Sequence, residues 1–183
     1  GAHKKPYPNH RGEANCDGGH PVQLVLGNTF RTDVALFRFD LGPDYRLKPG
    51  SATADIVMTT LAEAMSSAAA DILDVDRGDV SGEHRVAMSS GGREGREVDI
   101  FLYDLAAGGA GYVRAAVSQT AKLLKRTRAL LTACDCTHSC YQCLRSYQNR
   151  YHHPKLHRKL ALAVLDICEH AAAPTVEESV EDT

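Results

Sequence analysis

The sequence has no Gly-x-x-x-x-Gly-Lys-Ser/Thr loop, so it holds no P-loop motor and any ATP chemistry would belong elsewhere in a parent chain. It has no apolar run near the roughly 18 residues a spanning helix needs, and no charged-then-apolar leader. Both absences lead us to expect a cytoplasmic chain with no membrane partner. There is no initiator methionine either; Gly1-Ala2-His3 reads as an expression scar, and the chain is expected to be a piece of something larger. With no sign of secretion, a disulfide framework for the six cysteines is disfavoured.

What is present is 183 residues with the apolar and charged fractions of an ordinary globular protein. That length fits one domain, able to bury about two-thirds of the surface its unfolded chain exposes. The net charge of -2 hides an asymmetry. Between Gly111 and Leu160 stand Arg114, Lys122, Lys125, Arg126, Arg128, Arg145, Arg150, Lys155, Arg158 and Lys159 against the single acid Asp135. Such a block points to an anionic partner.

Inside that block lies Cys134-Asp-Cys136-Thr-His-Ser-Cys140-Tyr-Gln-Cys143, four cysteines within ten residues. Thiolates are soft ligands for Zn2+, and four of them close a tetrahedral structural site. The Cys-x2-Cys half brings both sulfurs to one ion, while the Cys-x-Cys half is tighter than usual finger spacings. An iron-sulfur cluster uses other spacings, and a redox Cys-x-x-Cys pair would want a βαβ context. Zinc is therefore the expected cofactor. His138 reads as an exposed loop residue rather than a ligand.

Residues 1–21 read as scar and flexible arm, with Cys16 a lone thiol rather than half of a second metal pair. Strands are predicted over Val22 to Leu26 and Phe30 to Leu41, separated by Gly27-Asn28. The run Val34-Ala35-Leu36-Phe37 is apolar on both faces, which predicts a central strand. A helix over 53–73 follows from Val57, Leu61, Ala64, Met65, Ala68 and Ile72, with Ser51 or Thr53 as cap. Strands over 83–89 and 97–103 flank a polar glycine turn. A long helix is predicted over 112–132, burying Val113, Val117, Leu124 and Leu131, and a last one begins at Pro154, with Cys168 in its core face. The expected fold class is α+β: a small, mostly antiparallel sheet packed by about three helices, with a four-Cys zinc knuckle between the last two. The tail 171–183 is acidic and expected to be disordered.

Gly108, Gly109 and Gly111, at the strand-to-helix junction, would suit an anion at a helix N-terminus, or a tight turn packing helix on sheet. Candidate nucleic-acid contacts are Lys122, Lys125, Arg126 and Arg128 on the helix, and Arg145, Tyr147, Arg150, Lys155, Arg158 and Lys159 beyond the knuckle, where tyrosines and histidines interleave the cations.

Arg31-Thr32-Asp33, Tyr103-Asp104 before Gly108-Gly109-Ala110-Gly111, the four-cysteine run ending at Leu144, and Ser146-Tyr147-x-Asn149 together resemble the MrfA-like zinc-binding (MZB) domain over residues 22–170. That domain is found at the C-terminus of superfamily 2 DNA helicases related to MrfA and in the DrmB component of the DISARM anti-phage system. The resemblance implies zinc on Cys134, Cys136, Cys140 and Cys143. It implies a non-catalytic accessory module in DNA repair or defence, working beside a helicase motor in the same chain or a partner subunit, on single- or double-stranded DNA. Two other functions compete with this one. Asp33, Asp99 or Asp104 with a histidine from 152 to 157 would make a metal-dependent nuclease, and the basic half docking on an acidic partner would make a protein scaffold.

Overall fold

In the computed structural model the described residues are 27, 29–86 and 95–171. The predicted arm with Cys16, the strand at 22–26, the end of the strand predicted over 83–89 with the glycine turn up to residue 94, and the tail beyond 171 lie outside them.

Three strands, β1 (Val34–Asp40), β2 (Val80–Val86) and β3 (Glu97–Asp104), form an antiparallel sheet in the order β1-β3-β2. Val98, Ile100 and Leu102 alternate along β3 and are fully buried on the inner face. The central strand is therefore β3, and the expectation for Val34–Phe37 is corrected. Register pairs Val34 with Tyr103 and Leu36 with Phe101. Val34 and Leu36 consequently point outward from a strand at the edge of the sheet formed by the described residues, 59% and 50% exposed. On that outer face Asp99 is fully buried between Arg38 (2.7 Å) and Arg85 (3.2 Å). Its hydrogen bond to Arg38 holds its carboxyl below the usual carboxylate range.

Helix α1 (Ala52–Leu73) crosses the inner face, capped by Ser51, whose Oγ accepts from the Ala54 amide at 3.2 Å. By length and composition α1 could cross a membrane, which the sequence reading overlooked, but 14 of its 22 residues are buried in the core. The approach to the sheet is close because Gly82 on β2 has no side chain: a Cβ there would stand 2.5 Å from the Ala62 carbonyl oxygen.

The long helix expected over 112–132 is two. Helix α2 (Tyr112–Val117) ends at Ser118, and α3 (Thr120–Thr132) starts after Gln119. The Ser118 and Thr120 hydroxyls donate to the Ala115 and Val117 carbonyls at the break. The redirection turns Val117 outward and puts Leu123, rather than Leu124, wholly in the core. Pro154 lies in a 3-10 turn (His153–Lys155), and the last helix, α4, runs from Arg158 to Ala171. Helices α1, α3 and α4 pack on one another, with the cysteine run between α3 and α4. Cys168 is only half-buried, and burial pushes its thiol up to about 11.

Candidate metal centre

Helix α3 stops at Thr132, which delivers Cys134 and Cys136 at its end. The Cys140 carbonyl then accepts from the amides of Cys143, Leu144 and Arg145 at 2.9–3.1 Å, a tight turn that folds the second pair back onto the first. Leu144, fully buried, plugs that turn into the main core. Behind it, Arg158 at the start of α4 is buried and donates to the carbonyls of Cys136 (2.8 Å) and Leu131 (3.1 Å).

The four sulfurs lie within 4.8 Å of one another. Cys134–Cys140, Cys136–Cys143 and Cys140–Cys143 are separated by 3.5, 3.7 and 3.8 Å. A disulfide needs about 2.05 Å, so none is bonded. A tetrahedron of sulfurs each about 2.3 Å from zinc has edges of about 3.8 Å, which these separations fit. A backbone hydrogen bond from Gln142 draws the Cys140 thiol down to about 7, while burial pushes Cys136 up to about 12 and also raises Cys143. Four thiolates cannot crowd together without a cation, and Zn2+ is the ion the donor set suits. His138 is exposed and outside the sulfur cluster.

The glycine turn is occupied by the chain itself. Asp104, with no exposed surface, accepts from the amides of Ala110 (2.8 Å), Tyr112 (3.2 Å) and Val113 (2.9 Å). Gly108, Gly109 and Gly111 all hold positive φ to turn those amides inward. Of the two readings of Gly108, Gly109 and Gly111, an anion site or a tight turn, the geometry has the form of a tight turn whose amides close on an internal carboxylate.

Much of the basic block is likewise paired. Arg126 binds Asp71 (2.7 Å), Arg128 binds Asp166 (2.7 Å), Lys155 binds Asp55 (2.8 Å), and Arg158 is buried as described. Arg145 donates to Ser139 at 2.9 Å. Lys122 reaches the Ile72 carbonyl at the end of α1 and Gln119. Lys125 and Lys159 are exposed and make no ion pair with any described residue. Tyr147 and Tyr151 are 74% and 76% exposed, with the Arg150 guanidinium 4.6 and 4.4 Å from their ring centres.

Sequence reasoning missed Glu63, on the buried side of α1. It accepts from Asn149 Nδ2 (2.8 Å) and meets His152 Nδ1 (2.7 Å), tying the segment after the knuckle to α1. No periodicity marks such a residue; only a polar interruption of an apolar face hinted at it. The carboxylates suggested for a nuclease form no metal-holding group with a histidine among the described residues, although Asp33 and Asp104 are neighbours through the Asp104 amide and the Asp33 carbonyl (3.3 Å). Asp33 pairs with Arg114, Asp99 with Arg38 and Arg85, and Asp104 with backbone amides.

Residues 61–144 match the family described as MZB, the MrfA Zn-binding domain. The chain is 31% identical, over 95% of its length, to the Druantia protein DruE of Escherichia coli (strain UMEA 4076-1) and spans 10% of that protein. Its fold is similar to that in the crystal structure of the DUF1998 helicase MrfA bound to DNA. The TM-score is 0.50 at 20% identity, covering 68% of this chain and 15% of the helicase.

Proposed function

With the match of residues 61–144 to the MrfA Zn-binding domain as the starting point, we propose that this chain is a non-catalytic, zinc-clamped accessory module of a large, cytoplasmic, helicase-like protein. The observation that carries the zinc clamp is the sulfur tetrahedron between α3 and α4, locked by Arg158. The module's work is contact with DNA handled by a motor elsewhere in the parent or in a partner subunit. Of the two settings the resemblance suggests, likeness to the Druantia protein favours defence over repair.

Pairing inside the fold narrows the contact surface. Arg126, Arg128, Lys155 and Arg158 act in structure, and the cations left for phosphates are Lys122, Lys125, Arg150 and Lys159. Fluorescence anisotropy of labelled oligonucleotides across a salt series tests this. The zinc-loaded chain is expected to bind DNA with a negative log-log salt slope, and Lys125→Ala and Lys159→Ala each reduce that slope by about one unit. No binding at low salt, or a slope indifferent to both changes, overturns the DNA role.

Docking is a second role, favoured by one observation. The edge strand β1 presents Val34 and Leu36 to solvent beside the exposed Val117. We place the rest of the parent against this face. Leu36→Lys would then weaken association with the parent while leaving zinc content and DNA binding unchanged.

A further inference from the structure

The knuckle and the loop that joins it to α4 carry three tyrosines with most of their surface in water: Tyr141 at 70%, inside the knuckle, and Tyr147 at 74% and Tyr151 at 76% beyond it. Large aromatic rings left in water at this density mark a surface built to be covered. Their chemistry is specific. Arg150 lies over both Tyr147 and Tyr151, donates to the Tyr151 hydroxyl at 3.0 Å, and makes no ion pair with any described residue. Each ring thus has one face against a guanidinium and its remaining surface open, with an unneutralised cation between the two.

The loop is also held in place. Asn149, itself 8% exposed, accepts from the Ser146 amide (2.8 Å) and donates to Glu63 and to the Leu144 carbonyl (2.8 Å each). His153 Nε2 faces two acceptors, the Ser146 carbonyl at 3.0 Å and Asn149 Oδ1 at 3.1 Å, which fixes that nitrogen as the protonated one. Its ring stands edge-on to Tyr141. The segment that carries Tyr147 and Tyr151 is therefore fastened through its backbone to one buried hub, which α1 anchors through Glu63 and which Tyr141 meets through His153. A preorganised aromatic surface loses little side-chain freedom when something stacks on it.

Resting on the DNA reading above, we propose that Tyr147 and Tyr151 form a stacking platform for unpaired bases, with Arg150 supporting the rings from behind and meeting the strand's phosphates. The ligand class is single-stranded nucleic acid. In a duplex the base faces are covered by their neighbours, whereas each unpaired base offers a π-face to an aromatic ring. A surface that only tracked phosphates would instead show cations in rows, and here a single arginine serves two rings.

The test uses the full zinc-loaded chain and three probes of equal length: a thymidine single strand, an abasic single strand of the same phosphate count, and a duplex. The thymidine strand is expected to bind tightest. Tyr147→Leu with Tyr151→Leu should weaken it by about tenfold or more while leaving the salt slope unchanged, because no cation is removed. Tyr147→Phe with Tyr151→Phe keeps both ring faces and should bind like the wild type. Unaltered zinc content and circular dichroism show that each variant is folded. If the abasic strand or the duplex binds as tightly as the thymidine strand, or the leucine variant binds like the wild type, the platform is overturned and the DNA reading survives. If none of the three probes binds, both fall, and the loop is a protein contact.

Discussion

Asp104 has no surface in water and receives three backbone N–H groups at the start of α2, so removing its carboxylate leaves those donors unpaired in the interior. Hydrogen bonds to a charged acceptor carry more than neutral ones, and we expect Asp104→Ala to cost about 3 kcal/mol, with Asp104→Asn costing less because an amide oxygen still accepts. Urea unfolding of the two variants checks the order. His84 makes a second residue-scale prediction. Burial lowers its pKa, and its ring nitrogen Nε2 lies 3.0 Å from the Thr59 hydroxyl. Below the unfolded value of about 6.5 the unfolded chain binds the proton more readily than the folded one, so this stability is full above that pH and lost as pH falls towards the lower folded value. The urea midpoint should therefore drop between pH 7.5 and 5.5, and drop less in His84→Gln, with zinc content followed to separate metal loss. The Asp104 motif was legible in the sequence, but its role was not, because glycine spacing announces an anion without saying whose. Glu63 was illegible for a related reason: its partners Asn149 and His152 lie 86 and 89 residues away.

At the scale of elements, β3 and α1 followed directly from alternation and from a 3.6-residue period, since each period reports burial against a single partner surface. The errors lie where burial depends on a neighbour. Val34-Ala35-Leu36-Phe37 looks buried on both faces, yet strand order is decided by pairing with β3, and β1 has a partner on one side only within the described sheet. The break at Ser118-Gln119 carries no proline or glycine, so no breaker signals it. Gly82 could be read only as a weak point in a strand, whereas in the fold it sets the distance between α1 and the sheet. Gly82→Ala must push the Ala62 backbone away and is expected to cost upwards of about 2 kcal/mol, in the range of overpacked cores. Gly78→Ala, where an added Cβ meets nothing within 4 Å, should change stability by less than about 0.5 kcal/mol. Thermal denaturation of the pair separates a packing constraint from a general intolerance of substitution at glycine.

The whole molecule depends on the knuckle more than its position between two helices suggests. Leu144, Leu156, Ala161, Val164 and Leu165 all follow the second pair of cysteines, and all belong to the same core as Leu61, Ile100 and Leu131. Opening the knuckle therefore withdraws side chains from the centre of the domain rather than fraying an end. Charge counting along the chain does not show which cations are paired across the fold. The acids that neutralise the basic block, Asp55, Asp71 and Asp166, come from α1 and α4, outside or at the margin of the stretch that was counted. Arg158, a candidate DNA contact by sequence, joins the knuckle to α3 through two backbone carbonyls. Structural zinc binding is worth on the order of 10 kcal/mol at neutral pH, as much as the entire stability of a typical domain. Chelation should then abolish the cooperative thermal transition as a single event, in α1 as well as α4, and Cys140→Ser should reproduce it. Arg158→Ala, which removes the clamp and keeps the ligands, should retain one zinc per chain but surrender it faster to a chromogenic chelator. A zinc-free chain that melts at the same temperature as the loaded one would sink the clamp and leave the metal without a part in the fold.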